Sequence, residues 1–112
     1  MGHHGFIGEF EQMVLLAILQ LEDAAYGPGI SEELERRAGR RVSRGALYSV
    51  LDRLEKKGYL RWEIGGSSSE RGGHPKRRFE VSREGIAALR ASREALINLW
   101  SGLDSVLGRG SS

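Results

Sequence analysis

The residues best suited to chemistry lie between positions 43 and 56, where small, polar and cationic side chains recur at helical spacing. At about 100° per residue, the leucines and the valine of this segment share one face. The opposite face carries Gly45, Ser49, Asp52 and Lys56, with Tyr48 and Arg53 beside it. A glycine lets the backbone approach another molecule closely, a serine hydroxyl donates and accepts hydrogen bonds, and an arginine can pair with guanine or phosphate. This combination is typical of a helix that lies against nucleic acid.

A glycine-rich segment at residues 65–75, followed by KRRFEV, supplies a second set of basic groups. Strand alternation puts Arg77 on the side of Phe79 and turns Lys76 and Arg78 to the other side, where they are better placed for phosphate. Ser43 and the free N–H groups of the first helical turn could also hold a phosphate. The predicted DNA-binding residues are Ser43, Arg44, Gly45, Tyr48, Ser49, Arg53, Lys56, Arg71, His74, Lys76, Arg77 and Arg78.

The charge of the chain is distributed very unevenly. Residues 1–35 contain seven acids and no lysine or arginine. Residues 36–78 contain thirteen of the 17 bases and only four acids, a local net charge of +9. Because the bases are clustered rather than spread, they favour a surface that binds a polyanion, with a merely solvated basic surface as the alternative.

The elements that must position these groups follow from periodicity and from cap residues. Apolar residues at spacings of three and four predict a first helix over about residues 9–21. Pro28 and Gly39 bracket a second helix, and Ser43 and Gly58 bracket a third. The alternating segments YLRWEI and KRRFEV predict a β-hairpin. The expected fold class is mainly α (α+β), a winged helix-turn-helix whose third helix enters the major groove.

Ser82 is expected to cap a last helix over residues 83–107, in which apolar residues follow a heptad pattern. The first helix is apolar nearly all round, and one small core has too little room for both. We therefore predict a homodimer, with interface residues Phe10, Val14, Leu89, Leu96, Trp100, Leu103 and Leu107. The expected organisation is a flexible tail over residues 1–7, a DNA-binding domain over 8–81, a dimerisation helix over 82–107 and a flexible tail over 108–112.

These motifs resemble the PadR-type transcriptional regulators, in particular the short subgroup with a single C-terminal helix, over about residues 7–107. GEFEQMVLLAIL is similar to the opening helix of that family, AYGPGI to its Tyr-Gly turn, VSRGALYSVLDRLEKKGYL to its recognition helix, and GGHPKRRFEVSREGIAAL to its wing and the start of its last helix. The resemblance implies a homodimeric repressor of a palindromic operator. The family's recognition-helix tyrosine falls on Tyr48, and its basic wing residues fall on Lys76, Arg77 and Arg78.

The resemblance also implies a small-molecule effector, since several members bind small aromatic compounds near the dimer interface. Trp100 is similarly placed to an aromatic residue that lines such a pocket in some of them. Plain packing of Trp100 in the interface is the alternative.

Other classes of function find little support in the sequence. The chain has no cysteine, which excludes disulfides and thiolate metal sites, and it shows no Ser/His/Asp arrangement, carboxylate pair or phosphate loop, so we expect neither an enzyme nor a cofactor or metal. The N-terminal MGHHGF lacks the features of a signal peptide and no apolar run could span a membrane, so a cytoplasmic protein is predicted. Two alternatives stay open, a module that binds an acidic protein partner and a small-molecule sensor without operator binding.

Overall fold

The computed structural model describes residues 7–65 and 76–108 of the chain. Three helices come first, α1 (Glu9–Leu21), α2 (Gly27–Ala38) and α3 (Arg44–Lys56), with a short 3-10 turn at Glu22–Ala24. Two strands follow, β1 (Leu60–Gly65) and β2 (Lys76–Val81), and then α4 (Arg83–Trp100) and α5 (Asp104–Leu107). The predicted winged helix-turn-helix is confirmed, with α2 and α3 as its two helices and the β1–β2 hairpin as its wing.

The helix ends lie where the cap residues predict them. The Ser43 hydroxyl accepts the Ala46 N–H at 3.0 Å, and the Ser82 hydroxyl accepts the Gly85 N–H at 3.0 Å, so each serine satisfies a backbone donor of the first turn. Gly39 adopts a left-handed φ of 65° and ends α2. The Ser43 cap fixes the N-terminus of α3, which is the end expected to face a ligand.

The wing is an antiparallel pair with Leu60 opposite Val81 and Gly65 opposite Lys76. The Phe79 N–H also donates to the Ala25 carbonyl at 2.9 Å, next to an isolated bridge between Tyr26 and Arg78. The segment before α2 therefore extends the sheet on the β2 side and ties the wing to the helix-turn-helix.

The core lies between the first three helices and the base of the wing. Its largest fully enclosed side chains are Val14, Leu15, Ile18, Ile30, Leu47, Leu51 and Leu54. The start of α4 closes this core, because a Cβ at Gly85 would overlap the carbonyl oxygen of Tyr59. The Ser82 hydroxyl donates to the Gly58 carbonyl at 2.6 Å and holds the same junction.

The prediction of one continuous helix over residues 83–107 is wrong in its last turns. The helix ends at Trp100, and Gly102 takes a positive φ of 80°, which an α-helix does not contain. The Leu103 N–H donates to the Trp100 carbonyl at 2.9 Å, and the separate α5 follows. Leu103 and Leu107 therefore do not continue the heptad stripe of α4, although both stay exposed.

The predicted interface residues divide into buried and exposed groups. Val14 is corrected to a core residue, since its exposed fraction is 0% and it belongs to the hydrophobic core described above. Phe10 and Leu89 are partly buried against the core. Exposed large apolar side chains accumulate from the second half of α4 through the following turn to α5, namely Leu96, Ile97, Leu99, Trp100, Leu103, Val106 and Leu107, and α1 adds Leu16 and Leu19.

Candidate nucleic-acid interface

The side of α3 that points away from the core is polar and open. Gly45, Ser49, Asp52 and Lys56, called here the outward face, are all exposed, while Leu47, Val50, Leu51 and Leu54 on the opposite side are buried. A Cβ added at Gly45 would meet no atom within 4 Å. The predicted orientation of the helix is thus confirmed, and a duplex could approach its backbone at Gly45 without displacing any side chain.

Tyr48 occupies the shoulder of α3 that faces the wing, where it is half-buried. Its ring meets the ring of Phe79 edge to face at a centroid distance of 6.4 Å. Its hydroxyl lies so close to the backbone at the start of α2 that a Cβ at Gly27 would overlap it. The side chain therefore joins α2, α3 and β2, and its predicted contact with DNA stays a prediction.

Arg77 is held between two aromatic rings rather than projecting from the wing. Its guanidinium carbon lies 4.7 Å from the centre of the Trp62 ring and 5.8 Å from that of Tyr48, within reach of cation–π attraction. The indole N–H of Trp62 donates to a carboxylate oxygen of Glu55 at 3.1 Å. These contacts couple the wing to α3, so Arg77 lies where strand alternation placed it, on the inner side of the hairpin.

The other shoulder of α3 is bound to α1 through a buried carboxylate. Glu11 is 6% exposed, and its oxygens accept from the Gly8 N–H at 2.9 Å, from the Arg53 Nε at 3.1 Å and from the Lys57 Nζ at 2.9 Å. Burial raises the pKa of Glu11, but the hydrogen bonds from Gly8, Lys57 and Arg53 together outweigh it, and the net shift is below the ordinary value. Glu11 is therefore an anion that holds both cations.

Arg53 was also predicted to contact DNA. Its Nε donates to Glu11 and links the side chain to α1, while the side chain stays 53% exposed, so its contact with DNA stays a prediction. Glu11 itself was not predicted as a functional residue. A signal existed, because Glu11 occupies an inward position with Val14, Leu15 and Ile18 at spacings of three, four and seven, where a charge needs a partner.

Many bases of the positive segment are paired with acids. Arg36 and Arg37 both bind the buried carboxylate of Glu33, and Arg78 binds Glu63 across the hairpin. Burial raises the pKa of Glu33, and the attraction of Arg37 and Arg36 outweighs it and lowers that pKa.

The free cations of the segment are consequently few. Among the described residues 36–65 and 76–78, the bases outside any ion pair with an acid are Arg40, Arg44, Lys56, Lys76 and Arg77. Arg44 and Lys56 lie on α3, and Lys76 is exposed at the first position of β2. Arg71 and His74, also predicted to bind DNA, lie outside the described residues. The charge available for a polyanion is thus smaller than the sequence total and is concentrated on α3 and the wing.

Trp100 is 48% exposed at the end of α4. The structure contains a cavity of about 290 Å³ between the end of α1 and β2, lined by Ile18, Leu19 and Phe79, and one of about 170 Å³ between α1 and α2, lined by Met13 and Leu16. Trp100 lines neither cavity.

Two further kinds of site are absent from residues 7–65 and 76–108. No three histidine, cysteine or acidic side chains cluster there in a way that would suit a metal ion. None of the helices in that part of the chain has the length and apolar character needed to cross a membrane.

Solved structures that are similar to this chain include transcriptional regulators. A crystal structure of a PadR family transcriptional regulator from Eggerthella lenta is 26% identical, with 91% of this chain and 88% of that chain covered and a TM-score of 0.66. A PadR-like transcriptional regulator from Bacillus cereus is 22% identical over 91% of this chain and 93% of that one, with a TM-score of 0.70. A PadR family regulator from Clostridium difficile is 22% identical over 88% and 99%, with a TM-score of 0.69. No curated protein sequence matches the chain.

The family model for "Transcriptional regulator PadR-like family" matches residues 15–91, which is more than half of the chain and spans the helix-turn-helix, the wing and the start of α4. Proteins of this family are transcription factors and not enzymes. The chain belongs to the PadR-like family of transcriptional regulators.

Proposed function

We propose that the protein binds a palindromic DNA operator as a homodimer and represses transcription. The proposal rests on how the side chains around α3 are arranged. One shoulder is bound to α1 through Glu11, the other is bound to the wing through Tyr48 and Arg77, and the outward face is left open. A helix fixed on both sides and open on the third is suited to enter the major groove.

Phosphate contacts would flank this helix on both sides. Ser43 and Arg44 lie at the N-terminus of α3, where unpaired backbone N–H groups attract anions. Lys76 lies at the tip end of the wing, opposite Gly65. Because phosphate contacts orient a protein while base contacts specify the sequence, these residues would set the position of α3 on the duplex. Ser49 and Lys56 would then face the edges of the base pairs.

The proposed dimer rests on the apolar surface of the C-terminal segment. Leu99 is 73% exposed and Val106 is 74% exposed, and five further large apolar residues of α4, α5 and the turn between them are exposed nearby. Monomeric proteins rarely leave so many neighbouring apolar side chains in water, whereas interfaces do. A second copy that covers this segment, together with Leu16 and Leu19 of α1, would bury it. Trp100 would then lie in the interface, where a small aromatic effector could bind beside it.

Selection of bound duplexes from a random pool, followed by footprinting of the enriched sequence, tests the proposal. A dimer with two recognition helices should enrich a two-fold symmetric site whose half-sites are about 10–10.5 base pairs apart, centre to centre. A pool that stays random at physiological salt, or a site without two-fold symmetry, would contradict it. Placing the enriched site between a promoter and a reporter gene then tests the sign of regulation, since a repressor lowers expression. The same assay in cells tests the proposed cytoplasmic location, because the protein must reach the DNA to act.

A further inference from the structure

Asp52 is an acid at the centre of the outward face of α3. It lies one turn from Ser49 and one turn from Lys56, and its side chain is exposed. A carboxylate in this position is unexpected for a surface proposed to meet phosphates, because a duplex carries one negative charge for about every 1.7 Å of its axis. Asp52 must therefore either weaken binding to every DNA sequence or accept a hydrogen bond from a donor that only some sequences present.

The other acids around α3 have partners, and Asp52 differs from them. Glu11 binds Arg53 and Lys57, Glu55 accepts from the Trp62 indole, and Glu63 binds Arg78. Lys56 follows Asp52 by four residues, the spacing at which an acid and a base commonly pair on a helix. Within the described ranges 7–65 and 76–108, however, neither Asp52 nor Lys56 forms an ion pair. The carboxylate is thus free to accept a hydrogen bond from outside the protein.

The chemistry of the major groove selects the donor. An ionised carboxylate only accepts hydrogen bonds, so guanine O6 and N7 and thymine O4, which are acceptors, would repel it. Adenine offers its N6 amino group as a donor, but the N7 acceptor beside that group would also repel a carboxylate. The N4 amino group of cytosine is the donor that aspartate and glutamate side chains take in this groove. An acid in this position therefore discriminates mainly by disfavouring the wrong bases. Specificity is a difference between affinities, so a group that repels the wrong bases increases it without raising the affinity for the right one.

We propose that Asp52 is a specificity-determining residue that accepts a hydrogen bond from the cytosine N4 amino group at one position in each half-site. This inference rests on the proposed function, because it requires that α3 lies in the major groove. It predicts that each half-site contains a position at which cytosine is preferred and at which the preference depends on residue 52 alone.

Selection from one random duplex pool should be carried out in parallel with the wild-type protein, Asp52→Asn, Asp52→Ala and Glu55→Gln. An asparagine side chain pairs with adenine N6 and N7, so Asp52→Asn should change the preferred base at that position from cytosine to adenine. Asp52→Ala should leave the position without preference. Glu55→Gln removes the same charge from the same helix and keeps an acceptor for Trp62, so it serves as the matched control and should leave the preference unchanged.

The size of the effect is measured by titrating each protein with the selected duplex and with a duplex changed only at that position. The wild-type protein should discriminate by about five- to one-hundred-fold in Kd, and Asp52→Ala should reduce this ratio to near one. Both Asp52 variants should also bind an unrelated duplex more tightly than Glu55→Gln does, because a charge facing the duplex has been removed. Because Asp52 is exposed and forms no ion pair among the described residues, thermal unfolding of the two Asp52 variants should match that of the wild-type protein.

The outcomes separate this inference from the proposed function. If the wild-type protein enriches a symmetric site and both Asp52 variants enrich the same site with the same preference at every position, the role of Asp52 is refuted and operator binding stands. If Glu55→Gln changes the preference in the same way as the Asp52 variants, the effect is one of net charge and the inference is also refuted. If the wild-type protein enriches no sequence, the proposed function fails and the inference fails with it.

Discussion

Replacing Glu11 by glutamine tests whether the link between α1 and α3 stabilises the fold. Glutamine keeps the size of the side chain and can still accept one hydrogen bond, but it removes the negative charge that holds Arg53 and Lys57. The buried position of the carboxylate, 6% exposed, means that its charge depends on these partners. The perturbation is therefore mainly electrostatic and leaves the packing of α1 unchanged.

The solvent exposure of Arg53 and Lys57 sets an upper limit on the expected loss in free energy of unfolding. A hydrogen bond to a charged group contributes about 1.5–3 kcal/mol when it is shielded from water. The Arg53 and Lys57 side chains are 53% and 36% exposed, so water can solvate them once the anion is gone, and pairs of this kind contribute at most about 1 kcal/mol each. We expect Glu11→Gln to lower the free energy of unfolding by about 1–2 kcal/mol at pH 7 and Tm by about 5–10 °C.

The pH dependence follows from the direction of the pKa shift. Because the pKa of Glu11 is lowered in the folded protein, its stabilisation is fully present above the ordinary carboxyl value of 4.5. The stabilisation is lost as the pH falls through the lowered pKa, since the folded carboxylate must then be protonated. The difference between the wild-type protein and Glu11→Gln should therefore be constant from pH 7 to about pH 5.5 and shrink at more acidic pH.

Urea unfolding followed by circular dichroism at several pH values measures both effects, at one fixed protein concentration because association would add to stability. Glu9→Gln is the control, since Glu9 lies in the same first turn of α1, is exposed and forms no ion pair among the described residues. Identical midpoints for Glu11→Gln and Glu9→Gln at pH 7 would show that the buried pair does not stabilise the fold. A difference that stayed constant down to pH 3.5 would show that it is not electrostatic.

Three further outcomes are expected. Lys76→Ala should reduce the slope of log Kd against log salt by about 0.9 for each phosphate that is no longer neutralised, or about 1.8 for a dimer. Arg61→Ala should leave the slope nearly unchanged, because the charge of Arg61 is paired at the far end of the wing. Equal slopes for both variants would argue against a wing contact. Gly45→Ala should stabilise the protein by about 0.5 kcal/mol, because alanine is the better helix former and the site is open, yet it should weaken DNA binding in a gel-shift assay, and unchanged binding would place the duplex elsewhere. Leu99→Asp should produce monomers in analytical ultracentrifugation while Arg90→Ser stays dimeric, and a dimeric Leu99→Asp would exclude α4 from the interface.

Features that depend on neighbouring residues were predictable from the sequence. The caps at Ser43 and Ser82, the glycine that ends α2 and the alternation in the two strands are local signals, and each determines backbone conformation within a few residues. The outward face of α3 was predictable for the same reason, because helical periodicity fixes which side chains share a side. The resemblance to PadR-type regulators then supplied the family, which the family model confirms.

Contacts between distant residues were not predictable in this way. Periodicity indicates that Glu11 and Arg53 each lie on a given side of a helix, but they are 42 positions apart in the sequence, which leaves open which side chain each of them meets. Likewise, Arg77 was expected on the inner side of the hairpin, but its place between two rings depends on the distance between the wing and α3. The break after Trp100 was missed because the apolar spacing continues from Trp100 to Leu103 and Leu107. The helical backbone does not continue with it, since it ends at Trp100 and Gly102 takes a positive φ.

The contact between Tyr48 and the start of α2 limits how this scaffold could be given a new DNA target. If α3 were replaced by the corresponding helix of another regulator, the new side chain at position 48 would have to fit against Gly27. In a relative with a larger residue at position 27, the tyrosine-bearing α3 of this protein would not fit without a change. Positions 45, 49, 52 and 56 carry no such constraint, since all four are exposed on the outward face. Substitutions at these four positions should therefore change the preferred DNA sequence without moving α3, whereas exchange of the whole helix would misplace α3.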